Sequence, residues 1–178
     1  MVNKILALCG KPGSGKSYVA NEIVKHYKGV IFSVDKIMLK LFGEIDGREL
    51  FENKLEICKE IIYEISDNIL ENTNGNIIFD FGFWTRVDRK YLKERFNKYN
   101  VIFVYMNTDG NIRWKRMEKR NEIINSNNYV FDKETFEFIS KLFENFSEDE
   151  EYITFNNIEE LIIEIKNRTN NGVRFNFA

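Results

Sequence analysis

Proline, histidine and cysteine are scarce in this 178-residue chain, which contains one proline, one histidine and two cysteines. Cys9 and Cys58 stand alone in the sequence, without the close spacing of metal-binding thiols, so we expect two reduced thiols in a cytoplasmic protein. No apolar run approaches the length of about 18 residues that a membrane-spanning helix requires. We therefore expect no membrane segment.

The chain also lacks an excess of either charge, since 26 Lys and Arg residues oppose 28 Asp and Glu residues. A net charge of −2 argues against a protein that coats nucleic acid, because such affinity comes from cations that neutralise phosphates. The 16 Phe, 8 Tyr and 2 Trp residues supply the bulk of a hydrophobic core. We expect one domain over residues 1–178, because domains commonly contain about 100–200 residues.

Short apolar segments alternate with helical patterns along the chain, which is typical of an α/β fold with a mainly parallel sheet. These segments are almost wholly apolar, as are strands that are covered on both faces. The predicted strands are Lys4–Cys9, Val30–Val34, Asn76–Phe81, Val101–Met106 and Tyr152–Phe155. The polar end of the chain, 170–178, is expected to be loosely ordered.

The longest predicted helix carries one apolar stripe at steps of three and four residues. The stripe consists of Phe51, Leu55, Cys58, Ile62, Ile65 and Ile69. Such a stripe is typical of a helix that packs on the core of its own chain. It is also compatible with a helix pair at a dimer interface, so a monomer and a homodimer both stay open.

The segment from Gly10 to Ser17 matches the pattern G-x-x-x-x-G-K-S/T, directly after an apolar strand and at the start of a helix. In this arrangement glycines let the backbone wrap around a phosphate, and N–H groups at the helix N-terminus face the anion. Lys16 would reach the β- and γ-phosphates of ATP, and the Ser17 hydroxyl would bind Mg²⁺. The predicted nucleotide-binding residues are Gly10, Pro12, Gly13, Ser14, Gly15, Lys16 and Ser17.

Two aspartates end predicted strands, at the edge of a parallel sheet where ligands bind. Asp80 follows the apolar run 77–79 and would face Mg²⁺, although a role as a helix cap or turn residue is the alternative. Asp35 follows the run 30–34 and would accept a proton from an attacking hydroxyl. The alternative for Asp35 is a cap of the following helix.

A basic cluster follows the fourth predicted strand and consists of Arg113, Lys115, Arg116, Lys119 and Arg120. Its three arginines are spaced three and four residues apart and therefore share one helix face. We expect a helical lid over about 109–130 whose arginines close on a transferring phosphoryl group. A solvated helix face is the alternative.

These segments resemble the small bacterial P-loop kinases often labelled AAA-type ATP-binding proteins, which are relatives of chloramphenicol phosphotransferase, the zeta toxins and the polynucleotide kinase P-loop domain. The resemblance rests on Gly10–Ser17, Phe32–Asp35, Phe79–Arg86 and Arg113–Asn121. Phe143–Glu144 together with Asp149–Glu150 resembles a late acidic motif of the group. The resemblance implies a nucleotide kinase-like three-layer sandwich, with a five-stranded parallel sheet of order 2-3-1-4-5, a helical lid and Mg-ATP at the P-loop.

The same resemblance implies roles for individual residues. It implies that Asp35 is the general base and contacts the substrate, and that Arg116 and Arg120 are lid cations, of which Arg120 also contacts the nucleotide. Two arginines, Arg86 and Arg89, fall where such proteins contact the substrate or brace the site. Asn156 matches the region that borders the adenine.

The leading expectation is a kinase that transfers the γ-phosphoryl group of ATP to a hydroxyl of a small molecule. Two alternatives stay open. One is a kinase that acts on the 5′-hydroxyl of a nucleic acid, which the low net charge disfavours. The other is a regulatory ATPase that signals by lid closure. The chain has no N/T-K-x-D motif for guanine, which argues against a GTPase.

Overall fold

The computed structural model of the chain describes residues 3–43, 48–123, 129–130 and 132–170. Strands and helices alternate through most of these residues. The strands are β1 (Lys4–Cys9), β2 (Gly29–Phe32), β3 (Asn76–Gly82) and β4 (Asn100–Tyr105). The helices are α1 (Lys16–His26), α2 (Val34–Phe42), α3 (Arg48–Asn72), α4 (Arg86–Arg95), α5 (Gly110–Asn121), α6 (Lys133–Lys141) and α7 (Ile158–Asn170).

The sheet has the strand order β2-β3-β1-β4, and all three strand pairs are parallel. This confirms the predicted α/β class and the predicted order as far as 2-3-1-4. Because the strands are parallel, their carboxyl ends lie at one edge of the sheet. The loop after β1 therefore lies between the segments that follow β3 and β4.

The two faces of the sheet are covered by different helices, which makes the fold a three-layer sandwich. Ile5 and Cys9 point to one face, where they join a buried cluster with residues of α2, α3 and α4. Leu6 and Leu8 point to the other face and pack with α1 and α7. This alternation follows from the period of two along a strand, and it explains why β1 is apolar at every central position.

The predicted fifth strand, Tyr152–Phe155, is reduced in the described residues to a single bridge. Ile153 pairs in parallel with Val104, donates to the Phe103 carbonyl (2.8 Å) and accepts from the Tyr105 N–H (2.8 Å). The bridge lies next to β4, where the order 2-3-1-4-5 places a fifth strand. Pairing does not extend further because ion pairs hold the preceding acidic segment on α4 and because Asn157 caps α7 by accepting from the Glu160 N–H (2.8 Å).

The long helix α3 follows its predicted stripe for most of its length. Cys58 and Ile62 are buried in the core, but Ile65 is exposed and Ser66 is buried instead. The Ser66 hydroxyl is satisfied inside the helix by the Ile62 carbonyl at 2.7 Å, so a small polar residue fits at this core position. Ile65 therefore belongs to the predicted apolar stripe but not to the buried face of α3.

The C-terminal helix α7 continues to Asn170, so the predicted loose tail overlaps the helix by one residue. Residues 171–178 lie outside the described residues. None of the described helices combines the length and apolar character needed to cross a bilayer.

Candidate functional site

The loop between β1 and α1 curls around the first turn of α1. Gly13 and Gly15 adopt positive φ angles of 76° and 101°, which residues with a Cβ atom rarely adopt. A Cβ atom on Gly13 would lie 2.5 Å from the Arg113 carbonyl oxygen, so glycine at this position lets α5 approach the loop. The glycines thus shape a concave backbone at the N-terminus of a helix, where N–H groups lack partners within the helix.

The Lys16 side chain folds back over this loop. Its Nζ atom donates to the carbonyl oxygens of Gly10 (2.8 Å) and Lys11 (3.2 Å). Burial lowers the pKa of Lys16, while the neighbouring carboxylates of Asp80 and Asp35 act in the opposite direction. The ammonium is thus positioned by backbone carbonyls rather than by an ion pair within contact distance.

Side chains from α5 and from the segment between β4 and α5 bind the carbonyl groups of residues 12–14 in the loop. Three consecutive carbonyl oxygens of the loop accept hydrogen bonds from side chains. Arg113 donates to the Pro12 carbonyl (3.2 Å). Arg116 donates to the carbonyls of Gly13 (3.4 Å) and Ser14 (3.3 Å), and the Thr108 hydroxyl also donates to Ser14 (3.1 Å). Because carbonyl oxygens repel anions, tying them to donors favours a phosphate in the loop. Thr108 was not predicted, although its position just after β4, the neighbour of β1, could have indicated it.

The residues of the loop fit a bound phosphate. Ser14 is 5% exposed, and its hydroxyl has no hydrogen-bond partner among the described residues. A buried polar group without a partner is rare outside functional sites. A nucleoside triphosphate requires such a combination of a hydroxyl, a concave glycine-rich backbone and an ammonium group, here that of Lys16.

Ser17 and Asp80 form the part of the site that suits a metal ion. Ser17 Oγ donates to Asp80 Oδ2 at 2.6 Å, and Asp80 is 6% exposed. No cluster of three or more His, Cys, Asp or Glu side chains able to hold a metal occurs in the part of the chain that the structure describes. A hydroxyl and one carboxylate nevertheless fit Mg²⁺, which is typically bound by one or two protein ligands together with water and substrate phosphates.

Asp35 lies in the first turn of α2, directly beyond the carboxyl end of β2. The N-cap of α2 is Ser33, so the alternative role of Asp35 as the cap residue does not match the geometry. The residue is exposed, yet desolvation by the surrounding protein and the nearby Asp80 carboxylate raise the pKa of Asp35 to about 6. Lys16 and Arg120 oppose this rise, which shows that both cations act on the same carboxyl group.

The arginines of α5 do not all belong to one mobile lid. Arg113 is 7% exposed, and besides Pro12 it bonds Ser140 Oγ (3.0 Å) and the Thr108 carbonyl (3.2 Å). It is therefore a fixed brace of the loop and not one of the lid cations. The exposed Arg116 lies over the loop, and Arg120 donates to the Tyr129 carbonyl at 3.2 Å. Part of the predicted lid, 124–128, lies outside the described residues.

Arg86 and Arg89 both bond to the acidic segment 144–150. Arg89 is 1% exposed and forms a two-pronged pair with Glu150, at 2.6 and 3.0 Å. Its remaining nitrogen donates to the carbonyls of Phe83, Trp84 and Glu144. These bonds match the alternative role of Arg89 as a brace of the site, because they join the residues after β3 to the acidic segment. The expected substrate contact of Arg89 stays a prediction. Arg86 forms an exposed ion pair with Asp149.

Asn156 lies on the carboxyl side of the Ile153 bridge, at the beginning of α7. Its backbone N–H and its side-chain Nδ2 both donate to Glu160 Oε2, each at 3.0 Å. The residue is exposed and serves to start the helix. None of its recorded hydrogen bonds joins it to the phosphate loop, so its predicted contact with adenine stays a prediction.

A family model for the AAA domain (AAA_33) matches residues 5–144 of the chain, which include the phosphate loop, Asp35, Asp80 and α5. The chain belongs to this AAA domain family. In a sequence comparison, no curated protein matches it.

Solved structures share the P-loop fold of this AAA domain at low sequence identity. A presumed kinase from Chloroflexus aurantiacus is 12% identical, with a TM-score of 0.75 over 97% of this chain and 98% of its own. A sugar kinase from Janibacter sp. HTCC2649 is 15% identical, with a TM-score of 0.64 over 96% and 95% of the two chains. Kti12 from Chaetomium thermophilum, in complex with ADP-AlF3, is 12% identical, with a TM-score of 0.64 over 92% and 97%. The fold is therefore that of P-loop kinases and related nucleotide-binding proteins.

Proposed function

We propose that this AAA domain is an ATP-dependent phosphotransferase that moves the γ-phosphoryl group of ATP to a hydroxyl of a small molecule. One observation carries the proposal. Asp35 is exposed in the first turn of α2, its pKa is about 6, and its carboxyl group interacts electrostatically with Lys16, Asp80 and Arg120. A site that only stores a nucleotide does not require such a base.

The phosphate loop would hold the triphosphate of ATP. Lys16 would reach its β- and γ-phosphates, and the free N–H groups at the start of α1 would bind the remaining oxygens. Ser17 and Asp80 would hold Mg²⁺, which when bound neutralises charge on the phosphates. The fold shared with Kti12, whose structure contains ADP-AlF3, supports nucleotide binding by this chain.

The transfer itself requires a hydroxyl between Asp35 and the γ-phosphate. As the acceptor oxygen forms its bond to phosphorus, the bond from phosphorus to the ADP oxygen breaks, and the hydroxyl proton moves to the Asp35 carboxylate. A pKa near the working pH suits a group that must take up this proton and release it again. Arg116, over the loop, and Arg120, near Asp35, are the cations available to stabilise the charge that develops.

The acceptor is a small molecule rather than a nucleic acid in this proposal. A net charge of −2 supports that choice, because a nucleic-acid substrate is normally held by an excess of cations. A sugar kinase of the same fold supports a hydroxyl acceptor, although its low identity leaves the substrate of this chain undefined.

The proposal is tested by ATP consumption over a panel of sugars, polyols, nucleosides, antibiotics and 5′-hydroxyl oligonucleotides. Lys16→Ala should abolish acceptor-dependent consumption without lowering the melting temperature. The exposed Lys25→Ala on the same helix α1 is the matched control and should retain full activity. ATP consumption that no acceptor raises would favour a regulatory ATPase, and equal rates in Lys16→Ala and the native protein would refute the proposal.

A further inference from the structure

Trp84 carries a buried hydrogen-bond donor that the fold does not use. Its indole N–H is sealed from solvent and has no acceptor among the described residues. A buried donor without a partner costs free energy, and such groups persist mainly where a ligand, an ion or a water completes them. The indole is a donor only, so the missing partner is an oxygen lone pair or another acceptor atom.

The position of Trp84 places this donor between the two halves of the site. Trp84 follows β3, and in the sheet β3 lies between β2 and β1. The first of these strands leads to Asp35, and the second leads to the phosphate loop. An acceptor hydroxyl must reach the γ-phosphate from the side of Asp35, so it has to pass the segment that contains Trp84.

The indole nitrogen lies directly over Gly82 at the end of β3. A Cβ atom on Gly82 would lie 2.5 Å from Trp84 Nε1, so only glycine leaves room for the ring. The carbonyl of Gly82 accepts from the N–H of Gly10, the first residue of the phosphate loop, at 3.1 Å. The donor is therefore adjacent to the loop that would hold the triphosphate.

The backbone around Trp84 is held in one place. The residue before it, Phe83, has a φ of +44°, a left-handed conformation that a bulky residue adopts only under constraint. The Trp84 carbonyl accepts from the Glu144 N–H at 2.8 Å and from the Arg89 guanidinium at 3.4 Å. The residue as a whole is only partly buried, so a contact with a ligand requires the indole N–H to turn away from Gly82 while the backbone stays fixed.

The groups beside Trp84 define the ligand chemistry. Both arginines that follow it are paired, Arg86 with Asp149 and Arg89 with Glu150. An anionic group on the acceptor would have to displace these carboxylates, whereas an uncharged hydroxyl or ether oxygen needs only a neutral donor.

We propose that the Trp84 indole N–H binds an oxygen of the acceptor, and that the acceptor is therefore an uncharged hydroxyl compound such as a polyol, a sugar or a nucleoside. This inference rests on the proposed function. Trp84 is a specificity-determining residue in this account and not a group that takes part in the proton transfer.

The test compares Trp84→Phe with Trp114→Phe, which changes the other tryptophan, packed on Phe136. With an acceptor identified by ATP consumption, Trp84→Phe should raise the KM for the acceptor by about threefold to tenfold, the range expected for one uncharged hydrogen bond. The KM for ATP should stay unchanged, and the melting temperature should not fall, because no native hydrogen bond is lost. An unchanged acceptor KM, or a lower melting temperature in place of the KM effect, would overturn the role of Trp84.

Matched acceptors test the charge preference, for example ribose against ribose 5-phosphate and glucitol against gluconate. We expect transfer to the uncharged member of each pair, and faster transfer to the anionic member would overturn the inference while leaving the proposed kinase intact.

A direct readout is the indole proton resonance of Trp84 in ¹⁵N-labelled protein, assigned with Trp114→Phe. It should shift when ribose or glucitol is added with Mg-ADP, and a resonance that none of the four compounds shifts would refute the contact. Failure of the proposed function is seen separately, as acceptor-independent ATP consumption in the native protein.

Discussion

Ser17 Oγ donates a 2.6 Å hydrogen bond to Asp80 Oδ2, which joins the first turn of α1 to the end of β3 across 63 positions of sequence. We expect Asp80→Asn to weaken the response to Mg²⁺, because an amide lacks the charge that Mg²⁺ prefers in its ligands and their partners. The Mg²⁺ concentration for half-maximal ATP consumption should rise about 10- to 100-fold. Glu118→Gln, at an exposed position of α5, is the control and should respond to Mg²⁺ as the native protein does. An identical Mg²⁺ dependence in the native protein, Asp80→Asn and Glu118→Gln would exclude Asp80 from metal binding.

Arg113 should set the affinity for ATP through the shape of the phosphate loop. The Arg113 guanidinium donates to both the Pro12 carbonyl and the Ser140 hydroxyl on α6. A lysine retains the positive charge but cannot make this planar set of hydrogen bonds. We expect Arg113→Lys to raise the KM for ATP by about tenfold, with a smaller effect on kcat, since binding rather than chemistry is altered. Lys115→Met, exposed on the same helix, should leave both parameters unchanged. A loss confined to kcat in Arg113→Lys would instead indicate a direct role in the transfer.

The rate should depend on the ionisation of Asp35. Because the pKa of Asp35 is about 6 and a general base works only when it is deprotonated, kcat/KM should be constant above that pH and fall as the pH decreases through it. Asp35→Asn should lower transfer by about 100-fold or more and remove the acidic limb of the profile. Asn at this position also leaves the Ser33 cap of α2 in place, so the melting temperature should be retained. A native profile that is flat between pH 5 and pH 8 would contradict the role of Asp35 as the base.

The Arg89–Glu150 pair should be important for stability rather than for chemistry. Arg89→Met should lower the free energy of unfolding by about 3–5 kcal/mol, because it leaves a mostly buried carboxylate without its cation. Arg86→Met removes an exposed ion pair and should cost much less. Urea denaturation measures both, and equal losses in the two variants would contradict the difference in burial.

The same pair makes a specific pH dependence of stability. The Arg89 hydrogen bonds hold the pKa of Glu150 at about 2, below its ordinary value of 4.5. A lowered folded-state pKa means that the stabilisation is fully present above pH 4.5 and is lost as the pH falls toward 2. Glu150→Gln should flatten this part of the stability curve, and an unchanged slope would show that other carboxyl groups produce it.

The P-loop could be predicted from the sequence because its function and its local geometry are encoded in eight neighbouring residues. The conformations of Gly13 and Gly15 and the start of α1 both follow from that segment. The parallel sheet could also be predicted, since alternating apolar strands and amphipathic helices allow few other arrangements.

Long-range side-chain pairs could not be predicted. A surface arginine and a buried brace look alike in sequence, so nothing local distinguished Arg113 from Arg116. The partner of Arg89 is 61 positions away, and the orphaned Trp84 N–H becomes visible only when every neighbouring acceptor is known. The predicted fifth strand, Tyr152–Phe155, is reduced to one bridge for a related reason. Its pairing with β4 depends on long-range ion pairs that hold the residues before it.

The central claim is that the γ-phosphoryl group passes to a hydroxyl and not to water. The most direct measurement incubates the native protein with [γ-³²P]ATP and the pooled acceptor panel, and then separates labelled organic phosphate from labelled inorganic phosphate. We predict that the label appears in an organic phosphate ester, that Lys16→Ala abolishes the labelled ester and that Asp35→Asn reduces it about 100-fold or more. Label released only as inorganic phosphate, at the same rate with and without the panel, would contradict the account.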